Sequence, residues 1–210
     1  MTRIHVAAST VVLALVATAC GTGVRAPQHY YVLDPMPSAA LVARDASARA
    51  TAPTLLVAPT TASSFYDAQA IVYSRSPDTR SYYQLNSWTE PPSRRLGLLL
   101  AERLARSGAF GSVAQATHSV RGQFLLTTHI EEIYHDAATS PGTARIAMTA
   151  ELSDPARRSI AGRHRFTASA PAAAPDAAGA VQGFDAALGP LLDEVVAWAA
   201  EASAAPRATP

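Results

Sequence analysis

The sequence predicts an α/β fold: a single domain in which a mixed, largely antiparallel sheet has two main amphipathic helices packed on it. Three segments, 121–134, 144–152 and 160–168, alternate apolar and polar residues, which is typical of strands with one buried face. The turn sequences Pro141-Gly142 and Asp154-Pro155 separate these segments, so we expect an antiparallel meander. Two other segments repeat apolar residues at spacings of three and four, as helices packed on such a sheet do.

Shorter strands are predicted before the meander. Residues 29–33 are rich in strand formers, and residues 54–58 form a continuous apolar run, which is typical of a strand buried on both faces. Residues 70–73 and 81–85 flank a Ser-Pro-Asp turn, so we expect a hairpin there. The Ala-, Ser- and Arg-rich segment 35–53 lacks periodicity and predicts a long loop, which is either flexible or carries a short helix around residues 39–44.

The periodicity of the apolar residues predicts two helices. The first is expected to begin within 86–92, where Thr89 can cap it, and to run to about Ser107 before Gly108. The second contains the most regular apolar stripe of the chain, formed by Val181, Phe184, Leu188, Leu191, Val195 and Trp198. We expect this stripe to pack on the apolar face of the sheet. The alternative is a coiled-coil seam, although such seams usually extend over about three or four heptads. Residues 200–210 are expected to fray.

The first 19 residues have the layout of a bacterial export signal. Arg3 precedes an apolar run from Val6 to Ala17, and small residues then lead to Cys20, the single cysteine. This arrangement resembles a lipobox, in which the cysteine becomes the lipidated N-terminus of the mature protein. Two alternatives are an uncleaved anchor, which needs about 20 apolar residues, and plain secretion, which would leave an unpaired thiol.

Lipidation at this cysteine divides the chain into a signal peptide, 1–19, a lipidated tether, 20–27, one domain, 28–200, and a flexible tail, 201–210. About 190 residues remain after cleavage, which is the size of one domain that needs no disulfide or metal for stability. The residue that follows Cys20 is Gly21. An aspartate at this position would resemble an inner-membrane retention signal, and the sequence does not have one. We therefore expect the lipid anchor to lie in the outer membrane, on its periplasmic face.

The charge balance argues against nucleic acid as a partner. The chain has 17 basic and 16 acidic residues, a net charge of +1, and every basic residue is an arginine. No block of these arginines occurs, although binding to a phosphate backbone depends on such a block. After Cys20 no segment is long and apolar enough to span a bilayer, so we expect the mature protein to lie on a membrane.

The motifs of common enzymes are missing from the sequence. It contains neither a Gly-rich phosphate loop nor a G-x-S-x-G nucleophile elbow. Metal-ligand residue types cluster at His129, Glu131, Glu132, His135 and Asp136, and on an ideal strand the first, second and fourth of these would share a face. Their spacing matches no common zinc pattern, and a solvated strand edge explains them equally well. We predict a non-enzymatic protein without cofactor or metal; the alternative is a metal-dependent hydrolase.

Four aromatic residues cluster around the predicted hairpin: Tyr73, Tyr82, Tyr83 and Trp88. They can belong to the core. They can also form a rim that contacts a partner or acyl chains, because tyrosine and tryptophan are favoured where one side is wet and the other apolar. The sequence leaves both readings open.

The order of these features resembles the ABC-type transport auxiliary lipoproteins, the PqiC-like family. The motifs that carry the resemblance are Tyr30-Tyr31-Val32-Leu33, Ile71-Val72-Tyr73, Tyr82-Tyr83, Trp88-Thr89-Glu90-Pro91, Gly122-Gln123-Phe124, Glu131-Glu132-Ile133 and Trp198. The resemblance implies an α/β fold and a periplasmic component of a lipid-transport system. The partners it implies are a mammalian-cell-entry (MCE) domain protein and an ABC permease and ATPase, and we expect a homo-oligomer. The alternative is an assembly lipoprotein of the lipopolysaccharide-assembly or secretin-pilotin type.

Overall fold

The structure, a computed structural model, describes residues 26–35, 51–117 and 120–205. The predicted signal peptide, Cys20, most of the tether, residues 36–50 of the predicted loop and the last five residues of the tail lie outside the described residues. Within the described part, no helix is long and apolar enough to cross a membrane.

Nine strands and two helices are formed by the residues that the structure describes. The strands are β1 His29–Tyr31, β2 Thr54–Val57, β3 Thr61–Ala62, β4 Ala70–Ser74, β5 Ser81–Trp88, β6 Ser112–Gln115, β7 Phe124–Asp136, β8 Thr143–Asp154 and β9 Ser159–Pro171. The helices are α1 Pro92–Arg106 and α2 Ala177–Ala204. The predicted mixed α/β fold is confirmed, and so are the meander (β7–β9) and the hairpin (β4–β5).

The sheet is organised around β7. One edge of β7 pairs antiparallel with β8 over nearly its whole length, and β8 pairs antiparallel with β9. The other edge pairs in parallel with β2, β3 and β4 in succession. The sheet then continues as β6 beside β2 at one end of β7, and as β5 and β1 beside β4 at the other end. The antiparallel pairings are the longest, and the short parallel ones make the sheet mixed.

Both helices pack on one face of the sheet and bury a single apolar cluster. The predicted stripe of α2 is buried from Val181 to Val195, and Trp198 packs at its edge against Phe166, with ring centroids 5.7 Å apart. The core reading of this stripe is therefore confirmed over the coiled-coil seam. The helix also continues to Ala204, beyond the predicted point of fraying.

The entry into α1 differs from the prediction. Residues 86–88 still belong to β5, and Thr89 does not cap the helix: its N–H donates to the carbonyl of Tyr31. The helix begins at Pro92, whose missing N–H costs nothing in a first turn. Its end after Arg106 and the positive φ of Gly108 (66°) agree with the predicted stop.

A buried cation joins the two helices. Arg103 of α1 is almost fully buried and donates to the Gly189 carbonyl at 2.5 Å and to the Asp193 carboxylate at 2.6 Å. A buried guanidinium is tolerated only where its donors are satisfied in this way. The position of α1 against α2 is thus set by polar as well as apolar contacts.

Candidate docking surface

Adjacent tyrosines of β5 lie on opposite faces of the β4–β5 hairpin. Tyr82 is paired with Val72 and lies on the face away from the helices, where it stacks on Phe65. Tyr83 lies on the helix-bearing face, where its ring contacts Tyr73 and His135. Side chains alternate along a strand, so neighbouring residues with the same chemistry enter different environments.

The helix-side cluster is held together by a buried histidine. The Tyr83 hydroxyl lies 2.7 Å from Nδ1 of His135, and Nε2 of His135 lies 3.0 Å from the Pro141 carbonyl oxygen. A carbonyl only accepts, so Nε2 carries the proton and donates to Pro141, and Tyr83 donates to Nδ1. Both ring nitrogens are used inside the protein, so this histidine has no nitrogen left for a substrate or a metal.

Burial keeps both partners of this hydrogen bond neutral. Desolvation lowers the pKa of His135 below its ordinary value, which outweighs the opposing hydrogen bond to Pro141. Burial, reinforced by the charge of Asp176, raises the pKa of Tyr83 to about 12. The turn that covers His135 depends on Gly142, whose φ is 95° and where an added Cβ would lie only 2.1 Å from Nε2. The cluster is therefore a structural one.

On the opposite face, an arginine supports the exposed stack. The rings of Phe65 and Tyr82 are nearly parallel with centroids 4.6 Å apart, and the Tyr82 hydroxyl donates to the Phe65 carbonyl at 3.2 Å. Arg80 donates to the Tyr66 hydroxyl at 3.0 Å and lies 3.8 Å from the centre of the Tyr134 ring. Cation–π contact of this kind favours a fixed guanidinium position.

The turn end of the β4–β5 hairpin carries a group of exposed apolar side chains. Eight large apolar side chains are exposed in the described part of the chain, and two of them, Tyr82 and Leu85, lie on β5, while a third, Phe65, stacks on Tyr82. We call Phe65, Tyr82 and Leu85 the aromatic corner. Tyr30 and Val32 are also exposed, but β1 carries them beside Ser87 and beyond Trp88, toward the other end of β5. Isolated apolar residues are common on surfaces, but a group of them indicates a contact surface.

The four aromatic residues singled out in the sequence thus divide. Tyr82 is 41% exposed and belongs to the aromatic corner, whereas Tyr73 and Tyr83 are half-buried on the helix side. Trp88 is only 3% exposed and packs edge-on against Phe184 of α2, with ring centroids 5.6 Å apart. Trp88 is therefore a core residue, and it is too buried to form part of an exposed rim. Phe65 was not predicted to belong to this surface, because no local sequence pattern indicates its contact with Tyr82, which lies 17 positions further along the chain.

The cluster of metal-ligand types is divided by a β-bulge. Ile130 pairs with Met148 but Glu132 with Ala147, so Glu131 is an extra residue in β7. The expectation that His129, Glu131 and His135 share a face is therefore wrong: His129 lies on the open face and His135 is fully buried among core residues. Among the described residues, no group of three His, Cys, Asp or Glu converges on a common point.

The acidic residues of β7 are instead paired with arginines. Three ion pairs cross the open face of the sheet: Glu131 with Arg165, Glu132 with Arg80, and Asp136 with Arg145. Hydrogen bonds from Thr149 and Arg165 lower the pKa of Glu131. For Asp136, burial favours the neutral acid, but the hydrogen bonds from Arg145 and from the Ala138 N–H, together with the charge of Arg145, outweigh it, and the pKa is lowered. This face is a network of compensated charges, which does not resemble a site for acid–base catalysis.

A second surface feature lies on the other side, beside α1. A groove of about 340 Å³ runs between α1 and the β2–β3 region, and it is lined by residues that include Gly97, Ala101 and Gln115. Leu98, at the rim of this groove, is 44% exposed. The groove contains no cluster of titratable side chains, so its chemistry is that of a contact surface.

Comparison with known proteins identifies both the fold and the family. A protein of the DUF330 family from Xanthomonas campestris has a TM-score of 0.70 at 22% identity, covering 82% of this chain and 95% of that chain. The crystal structure of an uncharacterized protein has a TM-score of 0.60 at 15% identity, covering 83% and 98%. A hypothetical protein from Chlamydia trachomatis has a TM-score of 0.51 at 10% identity, covering 73% and 99%. At these identities the likeness shows a shared fold.

At the level of sequence, no curated protein matches the chain significantly. A family does match: the one described as ABC-type transport auxiliary lipoprotein component, over residues 31–196. This match covers well over half of the chain and nearly all of the described domain. It agrees with the resemblance found in the short motifs, and the chain therefore belongs to the family of ABC-type transport auxiliary lipoprotein components.

Proposed function

We propose that this protein is a non-enzymatic docking component of an ABC/MCE-type phospholipid transport system, anchored by a lipid in the outer membrane and facing the periplasm. The observation that carries the proposal is the family match over residues 31–196, because an auxiliary component serves a transporter through contacts. The surfaces of the domain support it. They offer an exposed aromatic corner and a groove beside α1, while the buried histidine and the acidic residues of β7 are committed to internal contacts.

The anchor is proposed to be Cys20. A lipoprotein modified on both sulfur and amine carries more than one acyl chain. One chain gives only reversible membrane binding, whereas two or more hold a protein firmly, since each buried CH₂ contributes about 0.8 kcal/mol. We expect the Cys20→Ser variant to fold normally but to be released into the soluble periplasmic fraction. Labelling with radioactive palmitate should be lost in the same variant. Labelling that persists would place the lipid elsewhere and contradict the anchor.

Co-purification tests the docking role. The tagged, lipidated protein is extracted from membranes in mild detergent, and the proteins retained with it are identified by mass spectrometry. We expect an MCE-domain protein, together with the permease and ATPase of an ABC transporter. Retention of a lipopolysaccharide-assembly or secretin component in their place, or of neither group, would contradict this assignment.

We also propose that the protein is a homo-oligomer. The outer edge of β9, a strand of 13 residues, has no strand partner among the described residues. A long unpaired edge is a ready template for pairing with another chain. Light scattering on the Cys20→Ser protein should give a mass that is a multiple of the protomer, and a monomer at micromolar concentration would contradict the proposal.

A further inference from the structure

We propose that the aromatic corner is a membrane-contact surface, which lies in the phospholipid headgroup region of the leaflet that holds the anchor. In this position it fixes how the domain is oriented on the membrane. The inference rests on the proposed lipidation of Cys20 and adds a second contact with the same bilayer.

The composition of the corner is that of a membrane interface. It combines Tyr82 with Phe65 and Leu85, all of which are exposed. Tyrosine is enriched at the level of lipid headgroups, because its ring is apolar and its hydroxyl is wet.

The exposed rings are held rigidly before any contact is made. Phe65 and Tyr82 are fixed by their stacking and by the hydrogen bond between them. Behind them, Tyr66 packs edge-on against Phe65 and is held by Arg80, which also forms an ion pair with Glu132. Side chains that are already ordered lose little conformational entropy on binding, so the corner is suited to a weak surface contact.

The path of the chain indicates the bilayer as the occupant. Only nine positions separate Cys20 from His29, the first residue of β1, and an extended chain spans at most about 3.3–3.6 Å per residue. β1 runs parallel to β5, with His29 beside Asn86. Residues 26–28 therefore leave β1 on the side of Leu85 and Tyr82, and an anchor at Cys20 would hold the aromatic corner close to the bilayer.

The opposite end of the domain lies far from this point. The hairpin that carries the corner pairs with β7 near Asp136, whereas β2 and β6 lie near Phe124, at the start of the same strand. Each strand residue adds about 3.3 Å, so the 13 residues of β7 separate the two ends by roughly 40 Å. An anchored corner would thus leave the β2–β6 end free to face a partner in the periplasm.

Spin labelling tests this orientation in the lipidated protein. Acylation would consume the single native cysteine, so Gln84→Cys, in β5 and next to the corner, gives a unique labelling site. The matched control is Leu98→Cys, which is similarly exposed but lies beside the α1 groove. Both proteins are bound to vesicles of phosphatidylethanolamine and phosphatidylglycerol, and collisions of the label with oxygen and with a water-soluble nickel chelate are measured by electron paramagnetic resonance.

We expect the ratio of oxygen to nickel collisions to rise severalfold at residue 84 and to stay unchanged at residue 98. In the Gln84→Cys background, the double substitution Phe65→Ser and Tyr82→Ser should abolish this rise, whereas Leu98→Ser should not. Flotation with the vesicles should persist in all variants, and circular dichroism checks that they are folded.

Three results would overturn the inference. If the protein floats with the vesicles but residue 84 keeps the ratio seen in solution, the membrane contact is wrong while the anchor stands. Protection from nickel without a gain of oxygen collisions would mean that a second protein copy covers the corner. If the wild-type protein carries no lipid and does not float, the anchor proposal fails, and the membrane contact fails with it.

Discussion

Tyr82 and Tyr83 are neighbours in the chain, yet their side chains lie in different environments. Tyr83 is half-buried, and its hydroxyl is bonded to a buried histidine within the cluster beside the start of α2. Tyr82 is exposed and stacks on Phe65, and its hydroxyl reaches only a backbone carbonyl near the surface. The cluster of Tyr83 and His135 on the helix side thus stabilises the packing of the hairpin on β7. The stack of Phe65 and Tyr82 on the open side stays exposed, so its role is proposed to be contact rather than stability.

The largest effect is expected from His135→Ala. The substitution leaves a cavity in the core and removes the partners of Tyr83 and of the Pro141 carbonyl. We expect the free energy of unfolding to fall by about 2–4 kcal/mol, measured by urea denaturation. The control is His129→Ala on the open face of the same strand, which should cost less than about 1 kcal/mol. Equal losses in the two variants would contradict the division between the faces.

A more conservative pair of variants compares the two tyrosines directly. Tyr83→Phe leaves Nδ1 of the buried His135 without its donor, so the free energy of unfolding should fall by about 1–2 kcal/mol. Tyr82→Phe removes an exposed hydrogen bond, and the change should stay within about 0.5 kcal/mol. If Tyr82→Phe proved the more destabilising, the exposed stack would be part of the fold rather than a free surface.

The smallest expected effect is a pH dependence that arises from His135. Its pKa in the folded protein is lowered by burial, so the unfolded chain takes up the proton first as the pH falls. Stability should therefore be full above about pH 6.5 and decline as the pH falls from there toward the lowered pKa. Urea unfolding between about pH 7.5 and 5.5 measures this decline, above the range in which Glu131 and Asp136 titrate. The decline should be weaker in His135→Gln, and an unchanged decline would assign it to another group.

The sequence predicted the elements that depend on strict periodicity. The meander and α2 were predictable because each buries one regular face, and the hairpin because its turn residues lie between two strand-forming segments. The parallel pairings of β2, β3 and β4 with β7 were not, since they involve only two or three residue pairs each and join distant parts of the chain.

The candidate site was predictable only in part, for two physical reasons. The bulge at Glu131 reverses the facing of every later residue in β7, and no local pattern reveals where a strand takes up an extra residue. His135 was therefore grouped with the wet face, although it is buried. The stack of Phe65 on Tyr82 depends on a loop that returns over the hairpin, which is a tertiary contact. For Tyr82 the sequence left core and exposed rim open, and it gave no indication of Phe65 as its partner.

The central claim is that lipid attached to Cys20 ties this docking domain to a membrane, and the intact mass of the mature protein tests it most directly. Protein extracted from membranes is analysed by mass spectrometry, together with its N-terminal peptide. We expect a chain that begins at residue 20 and carries a diacylglyceryl group on the sulfur, with or without a further acyl chain on the amine. A mature chain that begins elsewhere and carries no fatty acid would contradict the account.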